Sequence, residues 1–135
     1  MNTYSATGLA LAAYMNANHR ILVVSYTDLD QQEAVRHLAE LDVYDSHLRP
    51  TKVDRRNGAE RVDYPNGSSI RFERLTRLTE AVATRIRPDV VYIDTDARES
   101  LRQSSRNLDP RLQNPLHDFL NVAQLLSPDL STVYA

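Results

Sequence analysis

The sequence predicts an α/β domain: a partly parallel sheet flanked by helices, with an antiparallel, arginine-rich hairpin added to it. Three observations predict this. "RILVVSY" (residues 20–26) and "DVVYID" (residues 89–94) are continuous β-branched runs, the pattern of strands buried on both faces. Segments of helical composition precede, separate and follow them. Between them, residues 49–74 hold two Asn-Gly pairs, Asn57-Gly58 and Asn66-Gly67, the strongest short hairpin signal because both residue types tolerate positive φ.

The elements follow in order. "YSATGLALAAYMNA" (4–17) reads as a helix rich in Ala and Leu, with Ser5 or Thr7 as cap and Asn16 and Asn18 as stops. After the first strand, Asp28 with Gln31 three residues on makes a capping-box pattern. The helix it opens carries Leu29, Ala34, Val35, Leu38 and Leu41 as one apolar stripe. Val35, Leu38 and Leu41 are expected to pack on a sheet containing Leu22, Val24, Val91 and Ile93. Strands are expected near 51–56, 60–64 and 69–74, with Val62, Tyr64, Ile70 and Phe72 on an apolar face. Residues 76–86 are helical in composition and end before Pro88. After the second buried strand, Asp96 and Glu99 have capping-box spacing for a polar helix over 96–106, and Asp94 or Thr95 offer alternative caps. "LHDFLNVAQLL" (116–126) places Leu116, Phe119, Leu120, Ala123 and Leu126 on one helical face. "LSTVYA" reads as a short strand or a disordered tail.

Composition narrows the function classes. The apolar runs fall far short of the roughly 20 residues of a membrane span, and no secretory signal opens the chain. Together these point to a cytoplasmic location with no membrane contact. Without cysteine there is no disulfide and no thiolate metal site. The four histidines, His19, His37, His47 and His117, lack metal-ligand spacing. Charge is uneven: residues 49–87 carry ten basic residues against five acids, although the whole chain sums to −2. All but Lys52 of the sixteen basic residues are arginine, whose planar donor fork suits phosphate and carboxylate. Arg55, Arg56, Arg61, Arg71 and Arg74 are therefore the candidates for anion or nucleic-acid binding. The same side chains could equally pair with neighbouring acids on a solvated hairpin.

Four stretches, in this order, resemble the ATPase domain of phage terminase large subunits. They are "TGLALAAYM", "RILVVSYTDLDQQEAVRHLAEL", "RVDYPNGSSIRF" and "IRPDVVYIDTD". The resemblance covers roughly residues 7–97 and implies a P-loop NTPase-like core without its first strand, followed by a C-terminal helical extension over 98–135, all in one domain. It also implies a phage or prophage origin. In that family the strand that "IRPDVVYIDTD" resembles bears a magnesium-binding acid, a position matched by Asp94, while the catalytic Glu position holds Thr95. No G-x-x-x-x-G-K-[ST] run exists here, so the phosphate cradle is absent. Loss of cradle and base removes the main sources of phosphoryl-transfer catalysis.

The expected function is thus a non-catalytic module, without cofactor, that binds DNA or a phage or host protein through the basic hairpin. Asp94 and Asp96 are candidate relics of a metal site, and a metal-dependent nuclease or nucleotide-binding enzyme using them is the alternative. A third reading is a structural homo-oligomeric protein, such as a homodimer formed at an open sheet edge.

Overall fold

A computed structural model describes residues 6–40, 49–56, 58–108 and 110–134. Ser5, Leu41, His47 and Asn57, which carry parts of the expectations above, lie outside these residues, as do the side chains of Asp28 and Leu29. The elements are α1 (Ala6–Met15), β1 (Arg20–Ser25), α2 (Asp28–Ala39), β2 (Lys52–Asp54), β3 (Arg61–Asp63) and β4 (Ser69–Arg74). A 3-10 turn (Leu75–Arg77) leads into α3 (Glu80–Ile86), β5 (Val90–Ile93), α4 (Thr95–Arg106), α5 (Gln113–Leu126) and β6 (Ser131–Tyr134).

The strands form one mixed sheet of six in the order β2-β3-β4-β1-β5-β6. β4, β1, β5 and β6 are parallel to one another, and β3 runs antiparallel to β4 and β2. The hairpin is therefore not an appendage. Its second strand, β4, pairs with β1 along its whole length, Ile21 opposite Ile70 and Val23 opposite Phe72.

Side chains alternate across a strand, so β1 feeds two cores. Ile21 and Val23 join Val62, Ile70 and Phe72 beneath Leu9 and Ala13 of α1 and Val35 and Leu38 of α2. Leu22 and Val24 join Val91 and Ile93 beneath Ala83 and Ile86 of α3, Ala97 and Leu101 of α4, and Phe119 and Ala123 of α5. The result is three layers, helices on both sides of the sheet, as a strand pair apolar on both faces requires. Each such aliphatic side chain contributes roughly 1.5–3 kcal/mol by leaving water.

Val35 and Leu38 of α2 do pack on the sheet that contains Leu22, Val24, Val91 and Ile93, but on its opposite face, through Ile21 and Val23. The run "RILVVS" has no polar side to mark which helix takes which face. Leu126 departs from its expected place, since it is 37% exposed at the end of α5, whereas Leu116, Phe119 and Ala123 are buried. Thr7 lies within α1. The cap of α4 is Asp94, whose carboxylate accepts from the Ala97 backbone N–H at 3.0 Å. Glu99 is instead held by Arg102 and Gln103 one turn further along the helix.

The turn Asn66-Gly67-Ser68 has a structural task that its hairpin signal did not announce. The Asn66 amide donates to the carbonyls of Ala13 (2.8 Å) and Tyr14 (3.1 Å) in the last turn of α1, where a helix leaves its final carbonyls open to outside donors. Its Oδ1 accepts from the Ser68 backbone N–H at 3.1 Å. The Ser68 hydroxyl donates to the Asn16 carbonyl and accepts from the His19 backbone N–H at 3.0 Å. Gly67 sits at φ 84°, and a Cβ there would come within 2.1 Å of the Asn18 side-chain oxygen. The turn thus clasps the end of α1 to the start of β1.

Candidate nucleic-acid interface

Residues of one parity in β2, β3 and β4 lie on the sheet face away from α1 and α2. They are Lys52 and Asp54, Arg61 and Asp63, and Arg71 and Glu73. The turn at 58–60 and the end of α3 complete a cleft of about 290 Å³ over them. Their neighbours in sequence, Val53, Val62, Ile70 and Phe72, take the apolar side.

Within the cleft most arginines are already engaged. Arg56 grips Asp54 with Nε at 3.0 Å and Nη2 at 2.7 Å, and its backbone N–H donates to the same carboxylate. Those hydrogen bonds hold the Asp54 carboxyl down at about 2. Arg61 Nε donates to Asp63 at 2.6 Å, the two being on the same side of β3. Arg85 of α3 lies 3.7 Å from Glu73, whose pKa is raised by burial in spite of that cation.

Arg71 differs. It stands directly across from Arg61 in the β3–β4 register, an unfavourable pairing of like charges. Burial lowers its pKa, and Arg61 and then Arg85 add to the effect, with Asp63 opposing them. Among the described residues it has no ion-pair partner within 4 Å. A guanidinium does not lose its proton in a protein, so this position stays cationic.

The expected arginines are thus divided. Arg56, Arg61 and Arg71 share the cleft, and Arg85 joins them without any local pattern in the sequence to mark it. Arg55 lines a separate groove of about 320 Å³ with Gln32 and Arg36. Arg74, at the end of β4, lies by alternation on the other face. Glu60 forms the partition between cleft and groove. It is 2% exposed, and neither carboxylate oxygen has a hydrogen-bond partner among the described residues.

At the carboxyl ends of the parallel strands lies a second cleft, of about 760 Å³, where ligand sites of open α/β sheets are generally found. Asp96 borders it; Asp94 does not, being 4% exposed and occupied as the α4 cap. Asp96 is in the first turn of α4, where the helix dipole favours a negative charge. Among the described residues no three His, Asp or Glu side chains gather as a metal site. No described helix is long and apolar enough to cross a membrane. No protein-family model matches the sequence, and no curated protein matches it. The fold establishes the class: an α/β domain with a mixed six-stranded sheet flanked by helices.

Proposed function

We propose that this chain is a non-catalytic binding module whose open β2-β3-β4 face holds the backbone of DNA. The observation that carries the reading is Arg71, half-buried, opposed by Arg61 and Arg85 and lacking an acidic partner among the described residues. A phosphate seated between the three would relieve their repulsion, and Lys52 is placed to extend the contact along the sheet edge. The interleaved acids Asp54, Asp63 and Glu73 would keep the binding weak and free of base reading. The order α1, β1, α2, hairpin, β5 is also that in which the sequence resembles the terminase ATPase domain, which would make the module a degenerate phage or prophage relative. Asp94 spends its carboxylate on a helix cap, so the reading includes no ATP turnover.

The test is a fluorescence titration of duplex and single-stranded DNA at two salt concentrations. Three phosphate contacts would weaken the affinity about 40-fold between about 50 and 200 mM salt. Arg71→Ala, alone and with Arg61→Ala and Arg85→Ala, should remove most of the binding, while Arg74→Ala should not. No binding at the lower salt, or binding that survives the triple substitution, refutes the assignment.

A further inference from the structure

The groove between α2 and the connection from β2 to β3 is lined by Gln32, Val35 and Arg36 of the helix, by Arg55, and by Glu60. Its charged groups are left without each other. Glu60 is 2% exposed, and neither carboxylate oxygen has a hydrogen-bond partner among the described residues. Buried carboxylates are ordinarily paired or hydrogen-bonded, so an unmade contact of this kind calls for an explanation. Arg36 and Arg55 are exposed, and among the described residues neither lies within 4 Å of Glu60 or of any other acid. Arg36 Nη2 approaches the His37 ring instead, at 3.4 Å.

Two arginines and a buried acid in one groove select a ligand by its charge. A simple cation would reach Glu60 only past both guanidinium groups, and a simple anion would meet the arginines but leave the carboxylate facing like charge. A molecule with an anionic and a cationic group close together answers both. The arginine fork takes a carboxylate through two parallel hydrogen bonds. An ammonium carries three donors, enough for both oxygens of Glu60 and the side-chain carbonyl of Gln32. Val35 supplies an aliphatic contact. A volume of about 320 Å³ has room for about ten water-sized groups, the bulk of one amino acid and not of a nucleotide.

We infer that this groove binds a free α-amino acid with an aliphatic side chain, its carboxylate on Arg36 and Arg55 and its ammonium on Glu60. The site goes beyond the DNA contact. Arg36 and Arg55 take no part in that contact, and Glu60 alone borders both hollows.

The experiment is an NMR chemical-shift titration of the full chain with L-leucine up to about 20 mM. It is repeated at equal ionic strength with the two halves of that ligand, isocaproate without the ammonium and isopentylamine without the carboxylate. Saturable leucine binding is expected, each half being weaker by about tenfold or more. Arg55→Ala should weaken leucine by about the same factor, with circular dichroism confirming that each variant folds. Glu60→Gln should do so too and shift the preference toward isocaproate, a change that a merely structural role would not produce. Arg106→Ala, on α4 across the sheet, should leave leucine binding unchanged. Absence of leucine binding at the highest concentration overturns the inference. Isocaproate bound as tightly as leucine also overturns it and leaves an anion site only. So does leucine binding indifferent to Arg55→Ala or Glu60→Gln, or weakened as much by Arg106→Ala. The comparison of the two halves needs no variant, and it decides the matter even where Glu60→Gln does not fold. Failure of the DNA titration would leave these outcomes untouched, because its variants are Arg61, Arg71, Arg74 and Arg85.

Discussion

Replacing Asn66 with alanine removes three hydrogen bonds at once: those to the Ala13 and Tyr14 carbonyls and the one from the Ser68 backbone N–H. A net hydrogen bond is worth about 0.5–1.5 kcal/mol, so full loss would cost up to roughly 4 kcal/mol. Asn66 is half-buried and Tyr14 is 45% exposed, so water can recover part of this at the orphaned carbonyls. The expected destabilisation is therefore about 2 kcal/mol. For a domain of this size that lowers Tm by about 6–10 °C. Urea unfolding followed by circular dichroism measures it, with an unchanged slope showing that the denatured state is not the cause. Asn66→Asp separates the donors from the acceptor: it keeps the oxygen facing Ser68 but presents negative charge to the carboxyl end of α1. It should be at least as damaging as alanine. A loss below about 0.5 kcal/mol for Asn66→Ala, or an aspartate better tolerated than alanine, would refute the clasp.

Three further outcomes follow from the geometry. Gly67→Ala combines a left-handed backbone with a Cβ driven against Asn18, so a loss of about 2–3 kcal/mol in the same urea assay is expected, and a neutral result would contradict the turn. Tyr64 is buried, its hydroxyl has no hydrogen-bond partner among the described residues, and burial raises its pKa; Tyr64→Phe should leave Tm unchanged or higher, and a drop of several degrees would reveal a bond to that hydroxyl. Asp54 should titrate by carboxyl NMR at about 2, below its ordinary 3.8, and return toward the ordinary value in Arg56→Ala. Because the folded value is depressed, the pair's contribution to stability is fully present above the ordinary value and is lost as pH falls toward 2; an unshifted carboxyl would dissolve the pair.

Much of the architecture is local and was legible from the sequence. The runs "RILVVSY" and "DVVYID" are buried strands because nothing polar interrupts them, and both occupy the middle of the sheet as β1 and β5. Asn66-Gly67 makes a turn because glycine reaches the φ of 84° that the turn needs. Leu116, Phe119 and Ala123 recur at helical spacing, and all three are buried. Alternation likewise assigned Val62, Ile70 and Phe72 to the core and left Arg61 and Arg71 on the other side.

What spacing along the chain could not express was which distant segments meet. An apolar run buried on both faces looks the same whichever helix covers it, so only packing decided that α2 takes Ile21 and Val23 while α3 and α5 take Leu22 and Val24. The position of β4 between β3 and β1 was likewise a tertiary choice, and it turned a hairpin strand into part of the parallel core. Asn66 reaches Ala13 across 53 positions of sequence, and Arg85 meets the hairpin cations only because α3 lies at the cleft's rim. Three acceptable caps stood at the end of β5, and the backbone delivered Asp94 to the Ala97 N–H, which set its role. Local propensity and periodicity act over a few residues, whereas the charge environment of Arg71 is created by groups that folding brings together from two strands and a helix.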